Sequence, residues 1–216
     1  MNCRKLFIFL FAALLFSAVS YGQKWDLKVD KDGIKVSTRT FEGSNVLEFR
    51  GEVTIKSNLS GILKLIDSVS AYPKWMHNCE YSQLIKRVGS SSGYTYYVVD
   101  APWPVSDRDA YTFYKATQDT ATKVITVSIT GMKDYLPEKE GRIRIPKLIG
   151  SWQLTPVAKG VTKVVFQQHC DIGGYVPAVL VNAYITETPF INLQHMRSIV
   201  ESPLYPKTVM KNVKEL

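Results

Sequence analysis

Between His77 and Asp171 the chain is a succession of short β-forming runs separated by turn chemistry, and one long helical period follows it. The spacing predicts strands over 78–87, 94–101, 109–118, 122–131, 142–155 and 161–171. The run Tyr94-Thr95-Tyr96-Tyr97-Val98-Val99 is representative, because aromatic and β-branched side chains suit a pleated, half-buried surface. The separators Gly89-Ser90-Ser91-Ser92-Gly93, Gln118-Asp119-Thr120 and Ala158-Lys159-Gly160 supply residues that favour turns. The segment 131–141, with Leu136-Pro137, reads as a longer loop.

Elements on either side complete the pattern. Ile34, Val36 and Thr38 fall on one face of a strand, and Val46–Ile55 alternates in the same way. Asp30-Lys31-Asp32-Gly33 reads as the hairpin turn before them. Ser57 or Asn58 caps a helix whose Leu59, Ile62, Leu63 and Ile66 share one face. Tyr72-Pro73-Lys74-Trp75 follows as one helical turn that plants Trp75 as a core ring. The last element runs from Pro177 to Glu201, with a kink expected at Pro189 and a frayed, basic tail over 203–216. There is no internal repeat and no linker, so a single domain is expected.

The amino terminus reads as a leader. Arg4-Lys5 precede the apolar run Leu6–Phe16, and Ser20 and Gly22 are the small residues of a cleavage site. Residues 1–22 are therefore expected to be a signal peptide and 23–216 the mature domain, secreted or periplasmic. The competing reading is an uncleaved membrane anchor. The formal charge of +8 includes Arg4 and Lys5. It suits docking to anionic lipid, or simply solubility. No dense basic cluster or nucleic-acid motif accompanies it, so no nucleic-acid partner is expected. Of three cysteines, Cys79 and Cys170 lie beyond the leader. Two free thiols are expected, with a disulfide as the alternative.

Residues 101–111 are the most pointed stretch. Pro102 and Pro104 stiffen a loop around Trp103, since proline fixes its own φ and extends the residue before it. Ser106-Asp107-Arg108-Asp109 and an aromatic strand follow. Pro102-Trp103-Pro104-Val105-Ser106-Asp107-Arg108-Asp109 resembles the START (steroidogenic-acute-regulatory-related lipid-transfer) domain family. So do Lys74-Trp75, Leu136-Pro137-Glu138-Lys139-Glu140-Gly141 and Asp171-Ile172-Gly173-Gly174-Tyr175-Val176-Pro177 ahead of the final helix. The resemblance covers roughly 53–202.

The resemblance implies an α+β helix-grip fold, a curved antiparallel sheet wrapped round a long C-terminal helix. It implies a greasy chamber for a lipid or sterol-like molecule, lined by strand residues such as Tyr96 and Phe166 and helix residues such as Leu180 and Ala183. Asn182, Thr186 and Glu187 are further polar candidates on the helix. The helix and the 101–107 loop would form the lid, with Trp103 pressing into a membrane interface. Arg108 would point into the chamber and take a carboxylate partner, Glu80 or Asp100. The competing reading pairs it with Asp107 or Asp109 at the surface. In the family picture the strands of Cys79 and Cys170 are not neighbours.

Catalysis is not expected. The chain lacks Gly-x-Ser-x-Gly and a phosphate-binding Gly-rich loop, and His77, His169 and His195 are isolated in sequence. Cys79 near His77 has no second pair at ligand spacing, so neither a metal nor a cofactor is expected. The alternative is a helix-grip enzyme, cyclase- or hydrolase-like, using Arg108 with Glu80 or Tyr97 with Asp100. The expected protein is a monomer that binds a hydrophobic small molecule and touches a membrane transiently.

Overall fold

The computed structural model describes residues 24–101 and 103–216. The expected signal peptide, 1–22, and Pro102 lie outside them. Three strands come first among the described residues: β1 (Asp26–Lys31), β2 (Ile34–Phe41) and β3 (Ser44–Ile55). Helix α1 (Leu59–Asp67) and a 3₁₀ turn (Val69–Lys74) follow. Then come β4 (Cys79–Val88), β5 (Ser92–Val99), β6 (Asp107–Gln118), β7 (Ile125–Gly131), β8 (Arg142–Arg144), β9 (Lys147–Ala158) and β10 (Val161–Asp171). Helices α2 (Ala178–Tyr184) and α3 (Glu187–Val200) finish the fold.

The strands form one ten-stranded sheet in the order β1-β2-β3-β10-β9-β7-β6-β5-β4, with β8 beside β6. Every pairing is antiparallel except β6 with β8. The helix-grip architecture is the one expected. The first hairpin turns on Asp32 and Gly33 at φ 53° and 71°, the left-handed pair that a two-residue turn between twisted strands requires.

Helix α1 forms where the period places it. The Asn58 side chain accepts from Gly61 N at 3.0 Å, and Leu59, Ile62, Leu63 and Ile66 are buried. Helix α3 buries Pro189, Leu193, Met196 and Val200, a stripe at alternating spacings of four and three residues. It crosses β3 at Gly51. A Cβ there would lie 2.7 Å from Leu193 Cδ1 and 3.0 Å from Pro189 Cβ, so only glycine admits the helix so close. Behind it Trp152 stacks on Phe166 at 3.9 Å, with Trp75 packed edgewise on Trp152 at 5.8 Å. Trp75 is a core ring, as expected.

Prolines account for two boundary corrections. The expected kink at Pro189 is instead a break at Ile185-Thr186. Pro189 has no N–H for the carbonyl of Ile185, four residues earlier, and sits in the first turn of a new helix, where that donor is not needed. The expected strand 142–155 is two strands, divided at Ile145-Pro146. A third correction concerns the tail. Residues 203–216 are not frayed but hydrogen-bonded to α1 and to the end of β6.

Candidate ligand-binding site

The concave face of the sheet, the 3₁₀ turn and Met76 enclose a cavity of about 30 Å³. Trp75, Thr95, Tyr97, Trp152, Phe166 and Gln168 are among its lining. Of the expected lining residues, Phe166 lines this cavity. The Thr95 and Thr112 hydroxyls meet at 2.6 Å, and the Trp75 indole Nε1 is buried without a partner. The Tyr97 hydroxyl is held well above the usual phenol range by burial, with the Cys170 and Cys79 thiols nearby. The walls thus offer aromatic surface and a few neutral polar groups. Thirty cubic ångströms admits a water molecule or two, not a lipid.

Several expected lining residues lie elsewhere. Tyr96 alternates with Thr95 and Tyr97 and so faces the opposite side of the sheet. There it packs with Val98 and Tyr111 beneath Met132 and Tyr135, and its hydroxyl donates to Asp109 at 3.1 Å. The run Tyr94–Val99 is apolar on both faces because a loop covers the outer one, so alternation alone gave no side. Leu180 and Ala183 are exposed on α2 rather than turned inward. Helix α2 buries none of its residues, although six of its seven are Ala, Val, Leu or Tyr. It is moored to β3 by Asn182, whose Oδ1 accepts from Leu47 N and whose Nδ2 donates to Asn45 O, both at 2.9 Å.

Arg108 is 4% exposed. Its guanidinium donates to the carbonyls of Ser106, Ile172 and Gly173, the last two at 3.4 and 3.5 Å. It therefore ties the loop after β5 to the loop after β10. Neither expected carboxylate meets it: Glu80 is exposed and lies 3.9 Å from Arg142, and Asp100 is exposed. The surface pairing fails too, because Asp107 accepts from Ala101 N and Asp109 is taken by Arg144. Burial pulls the Arg108 guanidinium below its usual range, but an arginine stays charged. The arrangements Arg108–Glu80 and Tyr97–Asp100, which a catalyst would use, are not assembled.

The buried ion pair of this region is Asp109–Arg144, which was not expected from sequence. Arg144 Nε and an amino nitrogen reach the two Asp109 oxygens at 2.6 and 3.1 Å, and both side chains are at most 2% exposed. Arg144 also donates to the carbonyls of Lys133, Leu136 and Pro137, which pins the 132–140 loop over the outer face. The only sequence signal was the extra charge of Ser-Asp-Arg-Asp, and it did not name the partner.

Trp103 is 93% exposed on its stiff loop and Tyr175 is fully exposed on the loop that Arg108 ties to it. Val179, Leu180 and Tyr184 of α2 are exposed as well. Cys79 and Cys170 are free thiols in one apolar cluster with Tyr97, and burial pushes them up to about 11 and about 12. Among the described residues no three His, Cys, Asp or Glu side chains gather to hold a metal ion. No described helix is long and apolar enough to cross a membrane.

Comparison with known proteins places these features. An uncharacterized protein of Pseudomonas aeruginosa is 34% identical over 192 residues, 88% of this chain and 94% of that one. The steroidogenic acute regulatory protein of Gallus gallus is 22% identical over 182 residues, and the match spans 64% of its length. The crystal structure of a STAR-related lipid transfer protein from Xanthomonas axonopodis superposes with a TM-score of 0.77 at 37% identity, covering 82% of this chain and 99% of that one. Human StAR-related lipid transfer protein 5 shares the fold, with a TM-score of 0.74 at 18% identity over 82% of this chain and 86% of its own. The START domain family model matches residues 12–203, and with that match the chain belongs to the START domain family.

Proposed function

We propose that the protein binds a lipid or sterol-like molecule between the sheet and helices α2 and α3, without catalysis, and exchanges it at a membrane surface. The observation that carries this reading is α2: an apolar helix that buries none of its residues on its own domain and hangs from Asn182. Such a helix has apolar surface ready for another apolar phase. On the two loops that Arg108 ties together stand Trp103 and Tyr175, exposed aromatic residues suited to the membrane–water boundary. The lipid-transfer protein of Xanthomonas axonopodis supports the ligand class. Because the cavity on this face of the sheet holds only about 30 Å³, a lipid would enter by an outward movement of α2, α3 and the 101–107 loop. Releasing the Asn182 and Arg108 contacts is what such a movement requires. Burial of hydrocarbon, at about 25 cal/mol per Å², would supply the affinity.

The test has two arms. Lipid extraction and native mass spectrometry of the purified protein should find about one lipid per chain, and the protein should speed lipid transfer between donor and acceptor vesicles. A protein that neither carries a lipid nor speeds transfer overturns the reading. We read residues 1–22 as a secretory leader and the working domain as monomeric. Amino-terminal sequencing of secreted protein should begin at Gln23, and a retained leader refutes the address.

A further inference from the structure

The tail beyond α3 closes the far end of the molecule. Residues 204–216 lie past the match to the family model and are fastened at five places. The Tyr205 hydroxyl donates to Gly61 O at 3.0 Å, and Asn58 Nδ2 donates to Thr208 O at 3.0 Å. Met210 N donates to the Ser60 hydroxyl at 3.1 Å. Gln118 and the Lys214 backbone exchange two bonds, at 2.8 and 2.9 Å. The Glu215 carboxylate accepts from Leu59 N and Ser60 N at 3.0 and 2.9 Å, an anion set on the first turn of α1, where the helix dipole favours it.

Under this strap, α1, β6 and β7 leave a groove of about 310 Å³, roughly ten times the inner cavity. Its depth is apolar, with Leu63, Ile66, Ile125 and Val127 buried; its edge carries exposed Thr117, Thr120 and Lys214. Ile66 and Tyr114 line both the groove and the inner cavity, so these two side chains stand between them. Tyr114 is held in place by donating its hydroxyl to Asp67 at 3.0 Å.

We propose that this groove is a separate binding site for a single-chain amphiphile, such as a fatty acid, and that the tail is the strap over it. The volume lies near the lower end of small-molecule sites, about 300–1,000 Å³, which suits one hydrocarbon chain rather than two. The gradient from buried aliphatic side chains to an exposed polar edge suits a molecule with one greasy and one polar end. Met210 and Val213 of the tail line the groove as well, so the chain is held between the strap and the sheet. The site is independent of the proposed movement of α2, because its walls belong to α1, the β4–β5 turn, β6, β7 and the tail.

The experiment titrates the full protein with a fluorescent single-chain fatty acid and displaces it with palmitate. Ala116 lines the groove opposite Val127 on the neighbouring strand, and Ala116→Phe would fill it. Ala116→Phe is expected to weaken binding by about tenfold or more. Leu27→Asp, at an exposed position of the edge strand β1, should leave it unchanged. Glu215→Gln loosens the strap and should speed both association and release. Since Ala116→Phe could disturb folding, a photoactivatable fatty acid on the wild-type protein gives a second readout: adducts should map to residues 205–216 and α1. Binding that survives Ala116→Phe, or adducts confined to the inner cavity and α2, overturns the groove and leaves the chamber reading standing. No binding of single-chain probes also overturns it, while transfer of two-chain lipids or sterols tests the chamber separately.

Discussion

Replacing Asp109 by alanine tests the buried polar network most directly. The Asp109 carboxylate takes two bonds from Arg144 and one from the Tyr96 hydroxyl, with both charged side chains at most 2% exposed. Alanine leaves the Arg144 charge with no carboxylate, facing the carbonyls of Lys133, Leu136 and Pro137 and the Tyr111 ring at 4.7 Å. Breaking a buried pair from one side costs about 3–5 kcal/mol, because the remaining charge is desolvated and uncompensated. At roughly 2–4 °C per kcal/mol for a domain of this size, the midpoint should fall by about 6–20 °C. Urea unfolding followed by circular dichroism measures the free energy, and the slope should stay unchanged. Asp109→Leu combined with Arg144→Met removes both charges and should recover most of the loss. A loss below about 1 kcal/mol for Asp109→Ala, or a double variant no better than the single one, refutes the assignment of this pair as a buried, mutually dependent unit.

Other outcomes follow from the same structure. Gly51→Val places atoms where Leu193 and Pro189 already stand and should cost about 1–3 kcal/mol by displacing α3; an unchanged unfolding midpoint refutes the close crossing. Val179→Asp with Leu180→Asp should lower vesicle binding by roughly tenfold or more without changing the melting temperature, since both side chains are already exposed. Vesicle binding that is unaffected counts against α2 as the contact. Cys79 and Cys170, pushed up to about 11 and about 12, should be nearly inert to thiol reagents at pH 8, with a thiolate fraction of about 10⁻³ or less; rapid labelling of the native protein refutes their burial. Tyr114 is raised from 10.0 to about 12, chiefly by burial and then by Asp67. A raised folded-state value favours the neutral phenol, so this contribution is present below pH 10 and is lost as pH rises toward 12. Absorbance at alkaline pH should show that phenol ionising with unfolding, and ionisation near 10 in the folded protein contradicts it.

Much of the architecture could be read locally. The hairpin at Asp32-Gly33, the cap at Asn58, the β-forming runs and the apolar stripe of α3 each depend on residues within a few positions of one another, and backbone sterics and side-chain period act at that range. The motif series around Arg108 pointed to the family for the same reason, since it is a string of neighbours. Boundaries were weaker where proline intervened, at Pro146 and Pro189, because its effect falls on a hydrogen bond made several residues away.

The sequence by itself determined the order and kind of most of the elements and pointed to the family, since these are written in local propensity and in short motifs. Tertiary structure alone decided that Tyr97, not Tyr96, faces inward, and that Asp109 belongs to Arg144, 35 residues away. It also decided that the tail ends its course on α1 and that the apolar residues of α2 face outward. A strand's alternation fixes two faces but not which one is covered, and a charge or a polar cap finds its partner only when the register of the whole sheet brings distant segments together.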